Sequence, residues 1–184
     1  MKPHVYILFY KPFGVLSQFT HEGAHQSLAD FGPFPPRVYP VGRLDADSEG
    51  LLLLTDDNEV KHRFTDPKFA HSRTYVAQVE RIPEKHALKL LREGVVVDHK
   101  KTKQATVRLL DNDPVLPPRS IPIRYRKNVP TAWLEITLRE GRNRQVRKMT
   151  AAIGHPTLRL VRIKMGGLAL EGLQPGEWKI LPKV

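Results

Sequence analysis

The sequence contains no cysteine, so it can form neither a disulfide framework nor a thiolate zinc site, and it offers no cysteine nucleophile. It also lacks a long hydrophobic run. The apolar stretch at residues 5–10 ends at Lys11-Pro12, and no later stretch approaches the length of a membrane span. We therefore expect a cytoplasmic protein without a signal peptide, a membrane partner or thiol chemistry.

Acidic residues are scarce relative to basic ones. The chain has 30 Lys and Arg residues against 19 Asp and Glu residues, which gives a net charge of +11. Such an excess favours a polyanionic partner, and nucleic acid is the natural candidate. The basic residues are interspersed with acids, however, and a solvated surface of mixed charge would have the same total. Charge alone therefore leaves nucleic-acid binding open.

Strand and helix patterns are mixed along the 184 residues without a regular alternation or an internal repeat. Apolar runs and period-two patterns predict strands at 5–10, 51–55, 75–79, 95–97, 104–110 and 133–138. Apolar periodicity and capping residues predict helices from Asn58 to Phe64, from Pro83 to Glu93 and from about residue 144 to Ile153. This order predicts an α+β fold with a central mixed, mainly antiparallel sheet flanked by helices. We expect one domain over residues 1–184, built from two fused halves across a cleft.

One polar loop lies between extended segments. Arg43, Asp45, Asp47 and Glu49 precede the buried strand at 51–55, so we interpret 43–50 as a loop. A polar loop between rigid strands suits an active site. An ordinary turn uses the same residue types, so the spacing by itself does not decide between the two.

Two other chemistries fit this loop less well. Asp45, Asp47, Glu49, Gly50 and Asp56 fall at positions 1, 3, 5, 6 and 12 of a calcium-binding loop, but Glu49 and Asp56 are the wrong acids for their positions, and prolines replace the first helix. A glycosidase-like pair of Asp45 with Asp47 or Glu49 requires a regular strand, which Gly50 disfavours. The eight histidines are scattered, and we predict no metal site.

A second polar cluster opens the last predicted helix. Arg144, Arg147 and Lys148 are spaced to share one helix face, while Val146 and Met149, with Ala152 and Ile153, face inward. Exposed helix faces often have such charges. Arginine can also bind a carboxylate or a phosphate through two parallel hydrogen bonds, so this face could present one arginine inward and the others to phosphates.

Two further features are compatible with RNA. Residues 112–131 contain five prolines and four basic residues, which predicts a long basic loop that has a function or is disordered. Tyr75 could stack on a base, although a half-buried tyrosine is also common in strands.

Taken in order, three motifs resemble those of the ribosomal RNA pseudouridine synthases of the small-subunit-synthase type. The motifs are Gly42-Arg43-Leu44-Asp45 with residues 48–55, Arg73-Thr74-Tyr75, and residues 140–147. Residues 172–178 fit as well, so that the resemblance extends from about residue 4 to residue 181. Arg73 is a departure, since many members have lysine there. The resemblance implies an RNA-binding cleft, Asp45 as the catalytic aspartate, Tyr75 against the target base and Arg147 beside Asp45.

The resemblance also implies the reaction and the partner. A uridine of ribosomal RNA is isomerised without a cofactor, and Asp45 either attacks the substrate or abstracts a ribose proton. We expect the chain to lack the small N-terminal RNA-binding domain of many members. In this, and in residues 122–131, it is similar to members that act on the large subunit, which implies 23S rRNA. We expect a monomer. The expected RNA contacts are Arg43, Arg142, Arg144, Lys148, Arg119, Arg124, Arg126 and Lys127.

A non-catalytic RNA-binding or ribosome-assembly protein with the same fold is the alternative. Asp45 distinguishes the two, because a pure binder gains nothing from an acid placed beside RNA phosphates. The intact Arg43-Leu44-Asp45 and Tyr75 favour an enzyme.

Overall fold

The computed structural model describes residues 3–123, 128–182 and 184. The helices in these residues are α1 (Asn58–Thr65), α2 (Lys85–Glu93) and α3 (Gln145–Ala152), and short 3-10 helices lie at Leu28–Phe31 and Pro67–Phe69. The strands are β1 (Tyr6–Lys11), β2 (Tyr39–Pro40), β3 (Glu49–Thr55), β4 (Arg73–Glu80), β5 (Val96–Val97), β6 (Lys100–Lys101), β7 (Thr106–Leu109), β8 (Thr131–Leu138), β9 (Thr157–Met165), β10 (Leu168–Ala169) and β11 (Trp178–Leu181).

Nine of the strands in the described residues form one sheet. Its path is β11-β1-β3-β9-β4-β8-β7, with β2 attached to β3 and β10 attached to β9, while β5 and β6 form a separate hairpin. Within this sheet the β3–β9 pair is parallel and short, joining Glu49 to Val161 and Gly50 to Arg162, whereas the other pairs are antiparallel. The predicted α+β class with a mixed, mainly antiparallel sheet is confirmed. The short parallel pair joins two halves of the sheet.

In the first half of the sheet, the central strands β1 and β3 are covered on both faces. Every residue of β1 and β3 is buried, as their apolar runs predict. Alternate residues serve different clusters, so that Leu51 and Leu53 pack with Tyr6 and Leu8 while Leu52 and Leu54 pack on the other face. Each fully buried leucine contributes about 2 kcal/mol from removal of apolar surface from water. The strand that follows the Asp45 loop is therefore rigidly anchored.

In the second half, α2 and α3 cover one face of the sheet. Leu88 and Leu91 of α2 join Val146 and Met149 of α3 in one buried cluster with residues of β4 and β8. Ala152 of α3, predicted to face inward, is exposed, and so is Leu90 of α2. Leu90 lies about 200° around the helix from Leu88, so the buried stripe set by Leu88 and Leu91 excludes it.

Several element boundaries differ from the prediction. Asp57, rather than Asn58, caps α1, because its carboxylate accepts hydrogen bonds from the N–H groups of Glu59 and Val60. Helix α2 begins at Lys85 rather than Pro83. Strand β3 begins at Glu49, so that the predicted loop 43–50 ends at residue 48.

Gly50 is required where β3 meets β9. Its φ is +105°, and a Cβ atom built on it would lie 2.3 Å from the carbonyl oxygen of Arg162. Only glycine combines this backbone conformation with such a close approach. The parallel junction of the two half-sheets depends on this residue.

Candidate active site

A cleft of about 560 Å³ lies where the two halves of the sheet meet. The loop before β3, the strands β4 and β9, and the segment that leads into α3 all contribute to its walls. The predicted site residues in its lining are Arg43, Asp45, Tyr75, Arg142 and Arg144. The fold thus brings together three motifs that lie far apart in the sequence.

The backbone on both sides of Asp45 is held by the segment that follows β1. The hydroxyl of Ser17 donates to the carbonyl of Leu44 at 2.8 Å and accepts from the N–H of the same residue at 3.0 Å. The N–H of Gly14 donates to the carbonyl of Ala46 at 2.7 Å. The Asp45 side chain itself remains 36% exposed. The loop is therefore rigid while its carboxylate faces the cleft.

Lys11 supports the same loop from below and was missed by the sequence prediction. Its side chain is fully buried, and its ammonium group donates to the carbonyls of Val15 at 2.6 Å, Pro12 at 2.9 Å and Ala46 at 3.4 Å. Burial lowers the pKa of Lys11 to about 7, although the carboxylates of Glu49 and its neighbours oppose this shift. A lysine at the end of a continuous apolar strand, before Pro-x-Gly, was the available signal.

The contacts of the two arginines differ from the expectation. Arg144 donates two hydrogen bonds to the carboxylate of Asp47, at 3.0 and 2.7 Å, and lies 3.5 Å from the carboxylate of Asp45. Arg147, expected beside Asp45, donates to the backbone carbonyl of Asp47 at 2.6 Å and to that of Thr157 at 3.2 Å, and its Nε lies 3.4 Å from the carboxylate of Asp47. Arg144 precedes α3 in the left-handed conformation, with φ +51°, so it does not follow the helical phase that the prediction assumed.

These contacts give the loop a mixed electrostatic environment. Burial raises the pKa of Asp47, but the hydrogen bonds from Arg144 and the charges of Arg147 and Arg144 outweigh it and hold that pKa below its usual value. Asp45 lies two residues away within the same positive field. Both guanidinium groups therefore favour the ionised form of Asp47.

A buried ion pair closes the base of the loop. Arg159 donates to the two carboxylate oxygens of Glu49 at 2.9 and 2.8 Å, and it also donates to the carbonyl of Pro117 at 2.8 Å. Both partners are almost fully buried. This pair links the first residue of β3 to the long loop before β8. Sequence patterns did not indicate Arg159, because an arginine in an alternating strand is usually exposed.

Arg162 is a second buried arginine that the prediction missed. It contributes to the lining of the cleft beside Tyr75, and its Nε donates to the carbonyl of Leu51 at 2.8 Å. Burial lowers its pKa. The cleft therefore has a cationic group beneath its surface as well as at its rim.

The remaining predicted RNA contacts occupy different environments. Arg43 is exposed at the cleft. Arg142 donates to the carbonyls of Lys100 and Lys101 at 3.0 and 2.7 Å, and Lys148 contacts the carboxylate of Asp98 at 2.5 Å. These two side chains hold the β5–β6 hairpin against the start of α3.

The predicted basic loop is described only in part. The guanidinium group of Arg119 lies over the ring of Phe13, 4.2 Å from its centroid, and donates to the carbonyl of Ile121. Arg124, Arg126 and Lys127 lie outside the described residues.

In the described part of the chain, no group of three or more His, Asp and Glu side chains is arranged to hold a metal ion. The same residues include no helix with the length and hydrophobicity needed to cross a membrane.

Comparison with known proteins identifies the family. Residues 5–152 match the model of a family described as RNA pseudouridylate synthase. A protein of Xanthomonas campestris named ribosomal large subunit pseudouridine synthase E is 52% identical over 95% of this chain and 94% of its own. A protein of the same name from Vibrio vulnificus is 51% identical over 94% of this chain and 73% of its own. A crystal structure of a pseudouridylate synthase, 28% identical, superposes with a TM-score of 0.80 over 98% of this chain and 71% of its own. The chain therefore belongs to the RNA pseudouridylate synthase family.

Proposed function

We propose that this protein isomerises one uridine of 23S ribosomal RNA to pseudouridine and that Asp45 is its catalytic carboxylate. The observation that carries the proposal is the position of Asp45, on a rigid loop, partly exposed in a cleft and 3.5 Å from Arg144. A volume of about 560 Å³ is in the range of sites that hold a small ligand, so an extruded nucleotide fits. The names of the relatives support ribosomal RNA of the large subunit as the substrate.

The chemistry requires little besides a positioned carboxylate. The bond between N1 of uracil and C1′ of ribose breaks, the base turns, and C5 bonds to C1′ while the C5 proton is lost and N1 gains a proton. Because no electrons are transferred to another molecule and no group is donated, the reaction needs no cofactor. Asp45 acts either by attacking the substrate or by taking a ribose proton to give a glycal. Both routes begin with an ionised carboxylate, and the guanidinium group of Arg144 lies 3.5 Å from the carboxylate of Asp45.

Tyr75 is proposed as the residue that meets the target base. It lies on β4 in the wall of the cleft that Asp45 also lines. An aromatic ring can stack on an extruded uracil and so offset part of the cost of removing the base from its stack, which is a few kcal/mol. We also propose that its hydroxyl helps to remove the C5 proton.

The proposed RNA contacts fall into three groups. Arg43 and Arg144 face the cleft and contact the phosphates next to the target uridine, and Arg119, Arg124, Arg126 and Lys127 contact RNA farther away. Arg142 and Lys148, both occupied with the β5–β6 hairpin, act by holding the exposed Lys100 and Lys101 at the side of the cleft. We propose that the enzyme works as a cytoplasmic monomer, where ribosomal RNA is available.

The test is a map of pseudouridine in ribosomal RNA from cells in which the gene is deleted. We expect one pseudouridine of 23S rRNA to be lost and to return with the wild-type gene but not with Asp45→Asn. Asp111→Asn, which changes an exposed aspartate of the long loop, is the matched control and restores the modification. Restoration by Asp45→Asn would refute the catalytic role, and an unchanged map would refute the proposed substrate.

A further inference from the structure

A buried arginine without an acidic partner lies beneath the cleft. Arg162 is 2% exposed, and its Nη2 atom has no hydrogen-bond partner. The carboxylates of Asp45, Asp47 and Glu49 pair with other arginines, and within the described ranges no carboxylate forms an ion pair with Arg162. Burial of an unpaired guanidinium costs several kcal/mol by order of magnitude. A group held at such a cost is expected to contribute to function rather than to stability.

The sheet register places Arg162 directly opposite Tyr75. In the β4–β9 pair the two residues are register partners, and in the β3–β9 pair Arg162 faces Gly50. Residues that oppose each other across a sheet project from the same face, so Arg162 and Tyr75 both project toward the cleft. Gly50, on the other side of Arg162, has no side chain. Both side chains also line the cleft, and the Arg162 guanidinium interacts electrostatically with Tyr75.

We propose that Arg162 donates a hydrogen bond to the hydroxyl oxygen of Tyr75, its register partner, and so acts as a positioning residue that fixes that hydroxyl against the target base. The inference rests on the proposed role of Tyr75. The same guanidinium donates to the carbonyl of Leu51, in the strand that follows the Asp45 loop. Arg162 therefore ties the strand of Tyr75 to the strand next to Asp45, and it leaves the hydroxyl proton of Tyr75 free to point into the cleft.

Enclosure of the guanidinium favours action through Tyr75 over direct contact with the substrate. The unpartnered Nη2 atom is itself buried, so a base in the cleft does not reach it without displacing its neighbours. The Tyr75 side chain is only partly buried and lines the cleft. A bound uracil would consequently contact Tyr75, and Arg162 would act on the uracil only through Tyr75.

A double-mutant cycle tests this inference. Single-turnover rates and RNA affinity are measured with a 23S rRNA fragment for Arg162→Met, Tyr75→Phe and the double variant. If Arg162 acts through the Tyr75 hydroxyl, each single change slows turnover, RNA affinity is unchanged, and the double variant is within about twofold of the slower single variant. A full-rate Arg162→Met enzyme, or losses that multiply in the double variant, would overturn the proposal.

Thr74→Val is the matched control, because Thr74 lies in the same strand and its hydroxyl bonds that of Thr137 at 2.9 Å. Its effect is expected to multiply with that of Tyr75→Phe. Should Arg162→Met fail to fold by circular dichroism, the cycle is run with Arg162→Lys, which keeps the charge and is expected to show a smaller, equally non-additive loss. Asp45→Asn in the same assay separates the two proposals, since an active Asp45→Asn enzyme would refute the site itself.

Discussion

Lys11 gives the protein a pH-dependent stability. Its ammonium group is fully buried below the Asp45 loop, and burial lowers its pKa from 10.5 to about 7. Between these values the unfolded chain holds the Lys11 proton and the folded chain does not, so the free energy of unfolding increases with pH. Integrated from pH 7 to about pH 9.5, this difference adds about 3 kcal/mol to stability. The contribution decreases again as pH falls toward 7.

The assay is urea unfolding followed by tryptophan fluorescence at a series of pH values across this window. Lys11→Met lacks the titrating amine and should lose the increase with pH, whereas the exposed Lys61→Met should keep it. Tyr6 and Tyr10 have pKa values raised to about 12, so their opposing contributions begin only near pH 10. Equal pH slopes for the wild type and Lys11→Met would refute the reasoning, whatever the absolute stability of the variant.

Four other outcomes are expected from the structure. Glu49→Ala leaves Arg159 buried without its partner and should lower the free energy of unfolding, measured by urea titration, by about 3 kcal/mol or more. The double variant Glu49→Ala with Arg159→Met removes both charges, and a loss equal to that of Glu49→Ala alone would contradict this reasoning. Gly50→Ala forces a Cβ atom to 2.3 Å from a backbone oxygen, so its thermal midpoint should fall well below that of the wild type. Arg144→Met should slow turnover more than it weakens RNA binding, because Arg144 contacts Asp45; single-turnover kinetics measure this. Arg43→Gln should reduce the slope of log RNA affinity against log salt concentration by about one, as measured by filter binding.

Much of the fold could be predicted because it depends on local patterns. The apolar runs that form β1 and β3 are buried along their whole length, and the alternating residues of β4 and β8 form the predicted strands. Boundaries were less accurate. Asp57 caps α1 although Asn58 is an equally suitable residue type, since the choice depends on which side chain reaches the free N–H groups.

The sequence predicted site residues only where a motif contains a residue type with an evident chemical role. Asp45 and Tyr75 were singled out from the sequence, and the structure places both in one cleft. Arg147 was expected beside Asp45. It lies at the same loop and forms its ion pair with Asp47, whereas Arg144, which has a left-handed backbone, forms ion pairs with both aspartates. Helical spacing could not show this, because the deviation occurs at the residue where the helix begins.

The sequence by itself determined the class of fold, the strands, the helices and the motifs, because hydrophobic periodicity and turn chemistry act over a few residues. Tertiary structure alone decided which charges are buried and what they contact. Lys11, Arg159 and Arg162 look like ordinary surface cations in the sequence, yet each is enclosed by residues from other strands and loops. The burial and pKa of a charged group depend on neighbours that only the assembled sheet brings together.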